Sequence, residues 1–221
     1  DFIFKKMKNK VTHKNCVTLF SFRHNIGGLR DPSLKKFGGF CENNSIGAIK
    51  LFENTHLWFA MLAIKFPNIN FFIKLKWDKN WKDYVLSVLK KKITNLNEIK
   101  NLIITSEQSS TSLIEKSKFV VGLNSTCLIE ARILKKPVVV PSIFEANSSL
   151  KSRIYFKKYF DKNLYAPKNK AEFFDITSKL CKSNSKKIFN RKKIDYELFR
   201  EFFGFYDGNS SKRVESFLLN K

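Results

Sequence analysis

A chain of 221 residues with 43% apolar side chains is globular, one large domain or two small ones. Its longest uncharged apolar run, Leu57 to Ile64, falls far short of the roughly 20 residues that cross a bilayer, and four scattered cysteines (Cys16, Cys41, Cys127, Cys181) without CxxC spacing argue against a zinc site or disulfide framework. The formal charge of +23 points towards nucleic acid or an anionic membrane face.

In chain order, residues 1–15 form a basic lead-in or interdomain linker carrying six charges, five of them lysine. No apolar segment and cleavage site follow, so nothing there resembles a signal peptide. The chain opens on Asp1, which raises the expectation of a longer parent. Val17 to Phe22 reads as a first strand, and a loop with Gly27-Gly28 and Gly38-Gly39 follows. Gly47 to Phe66 reads as a long helix closed by Pro67, Ile69 to Lys74 as a second strand, and Lys79 to Ile93 as a basic amphipathic helix. Leu102 to Thr105 is a third strand and Thr111 to Ser117 a short helix. Phe119 to Leu123 is a fourth strand, Ser125 to Leu134 a helix, and Pro137 to Pro141 a fifth strand.

Beyond Pro141 the rhythm loosens. A short sixth strand is expected at Asn163 to Ala166, then a helix from Lys170 to Cys181. Residues 182–221 read as a basic loop and two helices packing back on the domain, near Tyr196 to Phe203 and Ser210 to Leu219, the last capped by Asp207 to Ser210. Strands alternating with helices predict an α/β, Rossmann-like parallel sheet with helices on both faces, spanning 16–181. The unbroken hydrophobicity of Phe119 to Leu123 and Val138 to Val140 suits strands buried on both sides.

The charge excess is diffuse: residues 151–203 hold fifteen basic against six acidic side chains, and short runs occur at Lys90 to Lys92 and Arg191 to Lys193. Compositional drift in a Lys-, Asn-, Ile- and Phe-rich chain, a peripheral membrane face and nucleic-acid binding all fit such a spread. No nucleic-acid fingerprint supports specific recognition.

The stretch from Phe119 to Ala131 carries the most chemistry. A buried strand that stops at Asn124-Ser125-Thr126 and restarts as a helix aims free backbone N–H groups at one spot, which favours an anion. Glu130, one turn beyond Thr126, could accept hydrogen bonds from sugar hydroxyls. A capped helix with a solvated Glu130 reads equally well. In a parallel sheet ligands sit at the carboxyl ends of the strands. That rule gathers Arg23, His24, Asn25, Gly27 and Gly28 after the first strand, Lys74 and Lys76 at the second, and Asn124, Ser125 and Thr126 at the fourth. Ser142 and Glu145 come from the loop after the fifth. Cations, glycines and helix-start hydroxyls on one edge form a phosphate cradle.

His24 reads as a phosphate ligand or acid/base group, or as a loop histidine without a role. His56 reads as a packing histidine inside the long helix and His13 as solvated. Lys74 and Lys76 alternate around Leu75, so one of them faces the cleft, and Lys74 is the choice. Arg132 is expected on the helix surface and Cys127 beneath the turn, without a base to make it a nucleophile. Asn124-Ser125-Thr126 matches a glycosylation sequon with no sign of secretion. Glu107, Glu130 and Glu145 show no glycosidase-like pairing. A P-loop and a GxGxxG motif are both missing from the sequence.

The order VTLFSFRHNIGG, FPNINFFIKLKW, NLIITS, FVVGLNSTCLIEARILKKPVVVP and FEA resembles the carboxy-terminal domain of bacterial surface-carbohydrate biosynthesis proteins. These are similar to capsule and lipopolysaccharide glycosyltransferases of the GT-B type and, more distantly, to CDP-glycerol glycerophosphotransferases. The terminal DGNSSKRVESFL also resembles the end of such chains. The resemblance covers about residues 16–146 and this tail.

It implies a donor-binding half, with the amino-terminal acceptor domain missing or supplied by a partner subunit. Ser125 and Thr126 would contact donor phosphate and Glu130 the ribose or sugar hydroxyls. Lys74 and Arg23 would neutralise charge on the leaving nucleotide. The ligands implied are a nucleotide-activated sugar (CMP-Kdo or another CMP, CDP or UDP species) and a glycan acceptor, with no metal and no other cofactor. Glycerophosphate transfer from CDP-glycerol and a non-catalytic Rossmann module binding a partner or anionic membrane are the alternatives. The expected place is the cytoplasm, or the inner face of its membrane.

Overall fold

The computed structural model describes residues 15–22, 45–76, 79–143, 164–183, 199–201, 204 and 209–219. Within them lie strands β1 (Cys16–Phe20), β2 (Asn70–Lys74), β3 (Leu102–Thr105), β4 (Ser117–Gly122) and β5 (Val138–Val139). The helices are α1 (Ser45–Lys65), α2 (Lys79–Lys90), α3 (Ser110–Lys116), α4 (Thr126–Ile133), α5 (Lys170–Lys182) and α6 (Ser210–Leu219). All strands are parallel, in the order β3-β2-β1-β4-β5. This is the Rossmann-like α/β arrangement that the alternation of strands and helices predicts. The expected sixth strand reduces to one parallel bridge, Val139 with Tyr165. Around it Val140 N–H bonds Tyr165 O and Tyr165 N–H bonds Val138 O.

Helices α1, α2 and α5 cover one face of the sheet, and α3 and α4 the other. Strand residues alternate between these layers: Phe71 meets Phe59 of α1 edge-on, while Thr18 points to the α3 side and bonds Ser117. Helix α1 is apolar on almost every side because it lies under α2 and α5 as well as on the sheet. In α2 the buried Trp81, Val85, Val88 and Leu89 repeat at helical spacing, which is the amphipathic stripe read from the sequence.

Side-chain polar groups close what the helices and strands leave open. Asn101 donates from Nδ2 to the carbonyls of Ala63, Phe66 and Ile69, taking up acceptors at the end of α1 where Pro67 stops it. The Ser117 hydroxyl donates to Leu113 O at 2.7 Å and lies 2.8 Å from Thr18 Oγ1, tying α3 to β1. Helix α4 ends with Lys136 N–H on Ala131 O and Lys135 N–H on Arg132 O, with Lys135 left-handed at φ 58. Such a close normally takes glycine. Lys136, next in line, is buried and donates from Nζ to Glu115 O, and burial lowers its pKa to about 8.

His56 is wholly buried, as a packing histidine should be, but it is also part of a polar joint the sequence did not disclose. Its Nδ1 lies 2.8 Å from Phe52 O and its Nε2 2.9 Å from Ser21 Oγ, while Trp81 Nε1 donates to the same Ser21 oxygen at 3.3 Å. The Phe52 carbonyl can only accept, so Nδ1 carries the proton and Nε2 accepts from Ser21. The joint holds the end of β1 against α1 and α2. Burial lowers the His56 pKa to about 4, only partly opposed by the Phe52 bond.

Among the described residues, no helix is long and apolar enough to cross a membrane. Towards the carboxy terminus Phe199 is buried in the core, whereas α6 is exposed along its whole length. The glycine loop from 23 to 44, the polar segment from 184 to 193 and the Asp207-Gly208 part of the last cap lie outside the described residues.

Two outcomes follow from these local features. Lys135→Gly removes left-handed strain and is expected to raise stability by about 0.5–1 kcal/mol in urea unfolding; a loss would refute the strain. His56 is neutral in the fold and protonates more readily unfolded, so its contribution is complete above pH 6.5 and drains away as pH falls towards about 4. The stability difference between wild type and His56→Gln should therefore shrink by roughly 3 kcal/mol over that interval, and a pH-independent difference would refute a neutral buried imidazole.

Candidate functional site

Strand order reverses between β1 and β4, so α1 leaves on one side of the sheet and α4 on the other. In open α/β sheets ligands bind beyond the carboxyl ends of the two strands at such a switch point. Gly122 ends β4 at the point where α4 crosses closest: a Cβ there would sit 3.0 Å from Leu128 Cδ2 and 3.4 Å from Phe20 O. Leu123 follows, buried, and Asn124 takes the left-handed conformation at φ 47, which asparagine tolerates better than most residues. That residue redirects the chain so that Ser125, extended, becomes the N-cap of α4.

The opening of α4 is partly satisfied by its own chain. Ser125 Oγ accepts from Cys127 N–H at 3.3 Å, and Leu128 N–H bonds Ser125 O at 3.0 Å. The Cys127 thiol lies between the hydroxyls of Ser125 and Ser110, near Glu130, and desolvation raises its pKa. A thiol held protonated is a poor nucleophile, in keeping with the packing role expected for it. Thr126 is exposed at the start of the helix. The self-capping answers directly to the two readings of this turn: the capped helix is present, and an anion would meet fewer free amides than an uncapped helix offers.

Glu130 is half-buried, and desolvation raises its carboxyl pKa. Among the described residues its carboxylate accepts no hydrogen bond and forms no ion pair. This is a desolvated acid with open acceptors, one turn inside the helix at the switch point, and paired hydroxyls are donors that could satisfy it.

Lys74 reaches the same edge from β2 but is engaged. Its Nζ donates to Leu75 O at 2.9 Å and to Ser106 O at 2.6 Å, bridging the ends of β2 and β3. Burial lowers its pKa, with the Cys127 thiol acting in the opposite sense, so the amine and the start of α4 share one neighbourhood. Ser142, after β5, is buried and its N–H bonds Pro167 O. Arg23, His24, Asn25, Gly27, Gly28 and Glu145 lie outside the described residues. The structure thus brings Asn124, Ser125, Thr126, Glu130 and Lys74 to one edge.

One expectation is overturned. Arg132 is not on the helix surface but buried, 4% exposed. Position along α4 explains it, since Arg132 stands one turn after the buried Leu128 on the side turned to the protein. Reading charge as exposure misplaced it. Ser21 was also missed as a structural polar group, and only its place just past β1 and the histidine in α1 could have hinted at a pair.

No protein-family model and no curated protein matches this chain.

Because Ser125 caps α4, Ser125→Ala is expected to lower stability by about 1 kcal/mol even without ligand. Chemical denaturation checks this, and an unchanged midpoint would mean that the 3.3 Å contact contributes nothing.

Proposed function

We propose that this chain is the donor-binding half of a GT-B type glycosyltransferase, which holds a nucleotide-activated sugar at the switch point between β1 and β4 for transfer to a surface glycan. The carrying observation is the desolvated, open carboxylate of Glu130 at the switch point of the sheet. Vicinal hydroxyls of a ribose or sugar would donate two charge-assisted hydrogen bonds to it. Thr126 offers a hydroxyl at the helix start for donor phosphate, and the α4 dipole favours negative charge there. Lys74 lends positive potential from its carbonyl-held position. The resemblance of the strand-end sequences to surface-carbohydrate transferases supports the same reading, and it makes a CMP, CDP or UDP species the donor class to test.

Transfer would proceed by breaking the bond between the anomeric carbon and the donor phosphate. Negative charge then builds on the departing nucleotide, and a positive, dipole-lined edge lowers that barrier. Arg23 and His24, next along the chain after β1, carry the proposed catalytic roles of neutralising phosphate and moving a proton. An acceptor domain or partner subunit would supply the glycan.

Glu130 gives a test with opposite signs in two states. Ionised and half-buried without partners, it destabilises the empty protein, so Glu130→Gln should melt higher than wild type. The same variant should lose the thermal shift produced by CMP, CDP, UDP or CDP-glycerol species, because a ligand that binds only the folded form raises the melting temperature. Binding needs the carboxylate, so the ligand-induced shift should also weaken as pH falls towards the raised Glu130 pKa. A nucleotide shift that survives Glu130→Gln, or no shift with any of these ligands, defeats the proposal.

A further inference from the structure

Among the described residues, the edge of the sheet at β3 carries an unused set of backbone groups. Phe71 N–H bonds Asn101 O and Leu75 N–H bonds Thr105 O, and the parallel register runs from Phe71↔Leu102 to Lys74↔Thr105. In such a ladder the odd-numbered residues of β3 turn their N–H and C=O groups towards β2, and the even-numbered ones turn theirs outward. Leu102 N–H is taken by Ile99 O, and Ser106 O receives Lys74 Nζ. Ile104 is left with both its N–H and its C=O facing away from the sheet and, among the described residues, no partner for either.

The strand's own sequence and register carry none of the usual protection against pairing. Its sequence is Leu-Ile-Ile-Thr, half-buried throughout, with no lysine, proline or bulge. Phe72 and Ile103, side by side in the β2–β3 register, are half-buried on the face opposite α1 and α2. Natural edges of this kind are covered, charged or paired.

We propose that β3 pairs antiparallel with β3 of a second copy of this chain about a two-fold axis, joining two five-stranded sheets into one. A two-fold normal to the sheet sets Ile104 opposite Ile104 of the second copy, and each donates its N–H to the other's C=O. Ile103 then stands opposite Thr105, and Leu102 opposite Ser106. The flanking charges select this arrangement. Lys100 precedes the strand and Glu107 follows it, so antiparallel pairing brings the basic end of one β3 to the acidic end of the other. Parallel pairing would instead set Lys100 against Lys100. The main opposing force is the +23 charge of each copy, which salt screens. The dimer therefore tightens as ionic strength rises, the reverse of binding to an anionic surface.

Analytical ultracentrifugation of the full chain should show a monomer–dimer equilibrium that shifts to dimer with concentration and with salt. Hydrogen exchange should show the Ile104 amide slowing roughly tenfold or more as the protein is concentrated, while the Ile103 and Thr105 amides, bonded within the sheet, do not respond. Ile104→Pro removes the donor and should leave only monomer. If that variant fails to fold, exposed Gln108 decides, since the same register places it opposite Lys100 of the second copy. Gln108→Glu should strengthen association a few-fold and Gln108→Lys should weaken it as much. A monomer at high micromolar concentration in moderate salt overturns the proposal. So does a dimer in which Ile104 exchange is independent of concentration, or a dimer indifferent to the charge at position 108.

Discussion

Neighbouring parallel strands cannot be joined by a tight turn, so each crossover must lay a helix on one face of the sheet. From this constraint the rest of the molecule is built. The first two crossovers place α1 and α2 on one face, and the step from β3 to β4 carries the chain across to place α3 and α4 on the other. Burial on both sides follows, and with it the unbroken apolar runs in β4 and β5. The switch point between β1 and β4 is thus a consequence of strand order before any particular side chain stands there.

Burying such a sheet forces polar atoms at its ends to find partners inside the protein. The cluster of Ser21, His56 and Trp81 meets this demand at the carboxyl end of β1, and Ser117 with Thr18 meets it along the buried α3 face. Asn101 meets it where α1 stops. Each network is satisfied by groups from different elements, so losing one partner would strand another in a dry place. Near the switch point the pattern changes. Ser125 and Lys74 bond within the chain, whereas Glu130 is desolvated without compensation. An uncompensated acid beside well-matched neighbours marks where local stability has been given up.

Much of this was legible in the sequence. The five strands, their helices and a parallel sheet covered on both faces came from alternating apolar runs and from Pro67 and Pro137, because periodicity and proline act locally; the strand order itself came only from the structure. The turn at Asn124 to Thr126 and the helix that carries Glu130 were legible too, since a strand stopping at capping residues has few outcomes. What could not be read depends on contacts between distant segments. At Ser125 the sequence left an anion site and a self-capped helix equally open, and only the structure shows its oxygen taken by Cys127 N–H. The sequence placed Lys74 at the carboxyl edge of the sheet without revealing the carbonyls of Leu75 and Ser106 that hold it. Arg132 was misread because charge usually means exposure, and a long side chain one turn past Leu128 has room to fold inward.

The self-capped opening of α4 also narrows how a donor could be recognised. An open helix start binds any small anion through several amides, with little regard to what the phosphate carries. Here two early amides are committed to Ser125, so phosphate alone has less to hold. If the proposed donor site is correct, discrimination would rest on Glu130, which would reward a pair of hydroxyls and repel a bare anion by its own charge. On the proposed reading, such a site would favour a nucleoside or sugar with a free diol over inorganic phosphate, and its selectivity would lie in the part of the ligand that a phosphate cradle ignores.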